Sequence, residues 1–188
     1  MTMKILAFDT ETGGLDPRDA DLLTAYFEVI DQDYKTIDSL SLTVKPDGEA
    51  LIKAHPKALE VNRIVIAEHV EKAIPYSEAK EKLRRFLAKH SNPRNKLTPM
   101  AHNISFDLGF VNTYLLDKKD WEQYVSYHTL DTGTLATALK FYGAIPSDYK
   151  LSLGSLAEFF KVKRGSNIAH TAEGDVKVMI EIFKSMGE

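Results

Sequence analysis

The chain has 188 residues, 44% hydrophobic and 27% charged. These are the proportions of a soluble globular protein, and the expectation is one compact domain over 1–188. The absence of cysteine excludes disulfides, thiolate nucleophiles and thiolate metal ligands, and a net charge of −3 excludes coating nucleic acid through a generally basic surface.

The first informative stretch is Lys4-Ile5-Leu6-Ala7-Phe8-Asp9-Thr10-Glu11-Thr12-Gly13-Gly14-Leu15. Its apolar run, Ile5 to Phe8, is too short for a signal peptide or a membrane span, so a cytoplasmic protein without a membrane partner is expected. The run reads as a strand that climbs into two carboxylates at i and i+2, which a strand's pleat puts on one face. Thr12-Gly13-Gly14 then breaks it into a loop. Two like charges side by side at the end of a buried strand repel, and hard oxygen ligands in that arrangement favour Mg²⁺ or Mn²⁺.

Ala25 to Ile30 reads as a second strand and Ser39 to Val44, which alternates polar and apolar, as a third. Turns at Asp31-Gln32-Asp33 and Pro46-Asp47-Gly48 make the opening an antiparallel meander. The middle is helical: Ser77 is the expected N-cap, and Ala79, Leu83, Phe86 and Leu87 form one apolar stripe. Leu97 to Ala101 is expected as a short strand, Ser105 to about Asp117 as a helix, and Thr129-Leu130 as a fifth strand. Asp131 then caps a helix that runs through Phe141. Ser152 starts another, and a last helix covers about Ala172 to Met186, capped by Thr171. Three strands followed by alternating helices and strands imply an α/β domain with a mixed sheet.

Two further stretches carry carboxylates. In His102-Asn103-Ile104-Ser105-Phe106-Asp107, the acid shares a helix face with Phe110, Val111 and Tyr114, a costly place unless it is paired or binds metal. In His170-Thr171-Ala172-Glu173-Gly174-Asp175, a His precedes the last helix and an Asp lies in its first turns. Each acid taken alone is accounted for by solvent, a backbone partner or the helix dipole. Together, four carboxylates at the ends of regular elements and one His suit in-line phosphoryl displacement with two divalent ions and a neutral His as proton acceptor.

The ordered set resembles the DEDDh 3'→5' exonucleases, the group that includes the proofreading epsilon subunit of bacterial DNA polymerase III. The motifs are Phe8-Asp9-Thr10-Glu11-Thr12-Gly13-Gly14-Leu15, His102-Asn103-Ile104-Ser105-Phe106-Asp107, and His170 five residues before Asp175. They span positions 8 to 175. The resemblance implies a ribonuclease-H-like fold: a five-stranded mixed sheet, three antiparallel strands then parallel ones, flanked by helices. It implies two divalent metal ions, Mg²⁺ or Mn²⁺, with Asp9 bridging both. Glu11 and Asp175 would complete the site of the ion that carries the nucleophile, Asp107 would hold the second, and His170 would be the general base. It further implies that Thr10 and Thr12 touch the terminal nucleotide, that Leu15 and Phe106 pack on its base, and that His102 stands at the pocket edge. Asn62, in Val61-Asn62-Arg63-Ile64, stands where epsilon-like members have a His approaching that nucleotide, a difference that bears on substrate preference. His55, His69, His90 and His128 lie outside any motif and are read as structural or solvated.

Among the basic residues, Lys161, Lys163 and Arg164 are the expected contacts to the substrate backbone. The implied function is release of nucleoside 5'-monophosphates from single-stranded DNA 3' ends. The alternative is an exoribonuclease or oligoribonuclease of the same superfamily, separated by tolerance of a 2'-OH. An alternative of another class is a non-catalytic polymerase-accessory module. The intact set of acids argues against it, since a retired site has no physical reason to keep costly carboxylates together. A free-standing enzyme is expected; a polymerase partner is not indicated.

Overall fold

The computed structural model describes residues 3–163 and 171–187. Strand β1 (Ile5–Thr12) is the centre of the fold. Ile5, Leu6, Ala7 and Phe8 are all buried, as expected of a strand covered on both faces. It pairs antiparallel with β2 (Leu22–Ile30), which pairs antiparallel with β3 (Thr36–Lys45). On its other side β1 runs parallel to β5 (Thr98–Ala101), which runs parallel to β6 (Leu130–Asp131).

These are the five expected strands, each within a few residues of its anticipated bounds. The sheet has six, in the order β4-β3-β2-β1-β5-β6. The additional strand, β4 (Ile74–Pro75), is two residues long and lies parallel to the end of β3. An edge ladder that short, ending in Pro, leaves no alternation to read.

Eight helices follow the described chain. Two of them, α1 (Pro56–Asn62) and α2 (Ile66–Lys72), carry no buried apolar stripe. α1 buries no residue and α2 only His69, whose Nε2 lies 2.8 Å from the Val44 carbonyl. α3 (Tyr76–His90) buries the expected stripe, but its cap differs from the expected one. Ser77 lies within the first turn, and its N–H and hydroxyl donate to Asp47 at 3.1 and 2.6 Å. The helix expected through Asp117 ends earlier, as α4 (Ile104–Tyr114). Asp117 instead accepts from the Asp120 N–H and caps α5 (Lys118–Tyr124), which buries Trp121.

Asp131 caps α6 (Thr132–Phe141), Ser152 caps α7 (Leu153–Phe159) and Thr171 caps α8 (Ala172–Ser185), all as expected. Around Phe8 the core closes through Phe27, stacked at 5.8 Å, and Trp121 at 5.6 Å. α8 lies across β1 and β2, and its outer side packs Val178 and Ile182 on Ala136, Leu156 and Ala157 of α6 and α7. Among the described residues no helix is long and apolar enough to cross a membrane.

Candidate active site

The end of β1 is where the chain's acids converge. The pleat presents Asp9 and Glu11 together, and α8 brings Asp175 to them. One carboxylate oxygen from each of the three lies within 4.8 Å of the others. Thr171 sets the start of α8, its hydroxyl accepting from the Gly174 N–H at 3.1 Å and its carbonyl from the Asp175 N–H at 2.9 Å. Asp107 reaches β1 from α4 and is buried. Its Oδ1 accepts from both the N–H (3.0 Å) and the hydroxyl (2.6 Å) of Thr10.

The electrostatic state follows from this crowding. Burial, and then the negative charges of Asp107, Glu11 and Asp175, push the Asp9 carboxyl well above the usual range. Burial, with Asp175 and Asp107 adding to it, pushes Glu11 up to about 8. Asp107 rises to about 7 because burial outweighs the Thr10 hydrogen bonds that favour its ionised form. Three clustered oxygens with no sulfur among them, those of Asp9 and Glu11 on carboxyls made less acidic by burial and neighbouring charge, form the donor set that suits a hard divalent cation.

A cleft of about 570 Å³ opens beside the acids. Thr10, Glu11 and Thr12 form one part of its lining, and Leu15 and Phe106 another. Leu15 is 87% exposed at the rim, whereas Phe106 is half-buried and packs on Phe110 at 5.2 Å. Gly14, Asp16 and Asp19 of the loop after β1 continue the wall, and α1 with the residue before it adds His55, Lys57, Val61 and Asn62. The Asn62 amide donates to the Thr12 carbonyl at 2.9 Å and ties α1 to β1. The Gly13-Gly14 turn makes the tie possible. The His55 N–H donates to the Gly13 carbonyl at 2.7 Å, and a Cβ on Gly14 would stand 2.5 Å from the His55 ring.

The remaining expected contacts fall in several places. The hydroxyls of Thr10 and Thr12 are engaged within the protein, that of Thr12 donating to the Gly14 carbonyl at 2.7 Å. The His102 ring lies 3.0 Å from the Thr132 hydroxyl, and burial holds its pKa below the ordinary value. Lys161 and Lys163 are exposed after α7, and neither is in the cleft lining, whose lysine is Lys57. His170 and Arg164 lie outside the described residues. His90 is structural, its Nε2 2.8 Å from Asp38, and His128 is exposed. Among the wall residues the sequence does not reveal are His55 and Lys57, because α1 has no apolar period to announce it. Pro56 at its first position is the local signal that could have.

The family model RNase_T, described as exonuclease, matches residues 6–183. No curated protein matches the chain significantly by sequence. Among solved structures, E. coli exonuclease I in complex with a dT13 oligonucleotide is 17% identical with a TM-score of 0.75, over 97% of this chain and 40% of that one. The moderately thermophilic exonuclease I from Methylocaldum szegediense is 18% identical with a TM-score of 0.76, over 97% and 40%. A zinc-bound form of an E. coli exonuclease I complex with single-stranded DNA is 18% identical with a TM-score of 0.74, over 98% and 40%. The likeness is one of fold, and the chain spans 40% of the length of these structures.

Proposed function

The chain belongs to the RNase_T exonuclease family, and from that membership we propose that it is a metal-dependent 3'→5' exonuclease that releases nucleoside 5'-monophosphates from single-stranded DNA. The observation that carries the reading is the grouping of Asp9, Glu11 and Asp175 within 4.8 Å, with Asp107 hydrogen-bonded to the same strand and a cleft alongside. Two divalent ions held by these four acids, Mg²⁺ or Mn²⁺, would supply charge stabilisation at the attacking and leaving oxygens and a more acidic water.

The chain's own residues do the rest. His170, assigned from its place five residues before Asp175, takes the proton of the attacking water. The Phe106 ring and the Leu15 side chain give the terminal base an apolar surface on which to stack. Asn62 fixes the part of the wall that α1 supplies. Lys57, together with Lys161, Lys163 and Arg164, supplies positive charge for the strand's phosphates in a chain whose net charge is −3. Support for DNA as the substrate comes from the oligonucleotide complexes of the exonuclease I structures that share the fold.

The test is a pair of 5'-labelled single strands of one sequence, DNA and RNA, incubated with Mg²⁺, Mn²⁺ or EDTA. A one-nucleotide ladder on DNA that EDTA abolishes is the expected result. A ladder on RNA alone would move the substrate to RNA and leave the chemistry in place. No ladder on either from folded protein, with no heat of Mn²⁺ binding, would reduce the chain to a binding module.

A further inference from the structure

Helix α4 carries Phe106 and Asp107 in its first turns, yet it has no cap of its own. Its N-cap residue, Asn103, sits in the left-handed region at φ 61°, ψ 54°, and its side chain makes no capping bond. The Asn103 amide instead faces Gly133, whose added Cβ would stand 2.7 Å from Oδ1. The first N–H groups of a helix have no partner within it and must find one elsewhere.

The partner is Asp131, which the pairing of β6 with β5 sets beside Ala101. Its Oδ1 accepts from the N–H groups of Gly133 (2.8 Å) and Thr134 (3.3 Å), the ordinary cap of α6. The same oxygen accepts from the Asn103 N–H at 3.1 Å, and Oδ2 accepts from the Ile104 N–H at 3.3 Å. One carboxylate therefore closes the N-termini of two helices. A second strap runs parallel to it, from the His102 ring to the Thr132 hydroxyl at 3.0 Å.

We infer that Asp131 is a positioning residue of the active site, a brace that fixes where α4 begins and so holds Asp107 and Phe106 against β1. The inference rests on the reading of the site as that of an exonuclease. It follows from lengths: the Thr10 hydroxyl meets Asp107 at 2.6 Å, and a drift of α4 by about 1 Å would take that contact beyond hydrogen-bond range. A residue that served only α6 would have no need of a second oxygen. Serine caps a helix about as well as aspartate, but its hydroxyl is too short to reach across to Asn103 and Ile104.

Asp131→Ser thus separates the two duties. In metal-free protein its Asn103 and Ile104 amides should exchange with solvent at least about tenfold faster, while those of Gly133 and Thr134 keep their wild-type rates. Its Mn²⁺ affinity by calorimetry and its kcat should each fall about tenfold or more, as when groups that orient a metal ligand are removed. Asp131→Asn keeps Oδ1 but turns an N–H₂ toward the Ile104 N–H, and should show the same changes at Ile104 alone, with a smaller loss of affinity. Unchanged exchange and affinity in Asp131→Ser, or loss of cooperative melting in both variants, would overturn the brace. A wild type that neither binds Mn²⁺ nor cleaves would overturn the reading of the site itself, a result distinct from a competent wild type matched by Asp131→Ser.

Discussion

Thr10 is neither an acid nor exposed, yet two of its groups meet one oxygen of Asp107. Ionised Asp107 depends on those donors, because burial otherwise favours its neutral form. Thr10→Val keeps the shape and the N–H but removes the hydroxyl. A buried acceptor stripped of one donor costs about 1–3 kcal/mol, and we expect single-turnover cleavage to slow about 10–100-fold, with Thr10→Ser restoring most of it. A wild-type rate in Thr10→Val would mean that the backbone N–H suffices. Asp9 tests the opposite sign. Three carboxylates and burial oppose its charge, so Asp9→Asn should abolish turnover while melting at a higher temperature than wild type in EDTA. A lower melting temperature would show that the repulsion is already relieved in the metal-free protein.

The turn that leaves β1 governs how α1 meets the site. A Cβ on Gly13 would stand 2.4 Å from the Lys53 carbonyl oxygen and 2.9 Å from the Ala54 Cα, both main-chain atoms. On Gly14 it would meet the His55 ring at 2.5 Å, which is exposed and can turn away, and Ala20 Cβ at 2.8 Å, which is fixed to the backbone and cannot. Gly13→Ala should therefore be the worse change, by about 1–3 kcal/mol against a smaller loss for Gly14→Ala, or a melting temperature lower by about 3–10 °C at this size. Equal effects would mean that the Lys53 to His55 segment yields freely. This element also marks where sequence reading stops. β1 is legible because an apolar run ends in two acids, and α3 and α8 because each buries a stripe. α1 and α2 are not, since neither buries an apolar stripe and the side chains that tie them to the sheet include the polar Asn62 and His69. Distance hides the caps in the same way: Asp47 serves a helix that begins 29 residues later, and Asp131 serves α4 from 27 residues beyond its first residue. The acids of the candidate site are legible as types at strand and helix ends. That one of them, Asp107, hangs on Thr10 is not, because the bond joins residues 97 positions apart.

Across the molecule these local shifts sum to a dependence of stability on pH. Glu11 titrates near 8 and Asp107 near 7 in the folded chain, against ordinary values of 4.5 and 3.8, and Asp9 is raised as well. The unfolded chain gives up these protons by about pH 5, while the folded chain keeps them to neutrality. Between those limits the folded state binds more protons, so its stability falls as pH rises, the share of Glu11 and Asp107 being lost by about pH 8. Asp38 works with the opposite sign. Hydrogen bonds from Lys89 and His90 hold its carboxyl down at about 2, and the stability it adds is present above about pH 4 and lost toward pH 2. The metal-free protein should thus melt highest on the acid side of neutrality and lose stability steadily toward pH 8. A divalent ion takes the place of the retained protons, so binding at pH 7 must release them. Calorimetric titration with Mn²⁺ in two buffers of different ionisation enthalpy should give different apparent heats, and the melting curve with Mn²⁺ should hold its height up to pH 8. Equal heats in the two buffers, with a metal-free melting temperature flat from pH 5 to 8, would show that the acids are already ionised and that the cluster carries its charge without help.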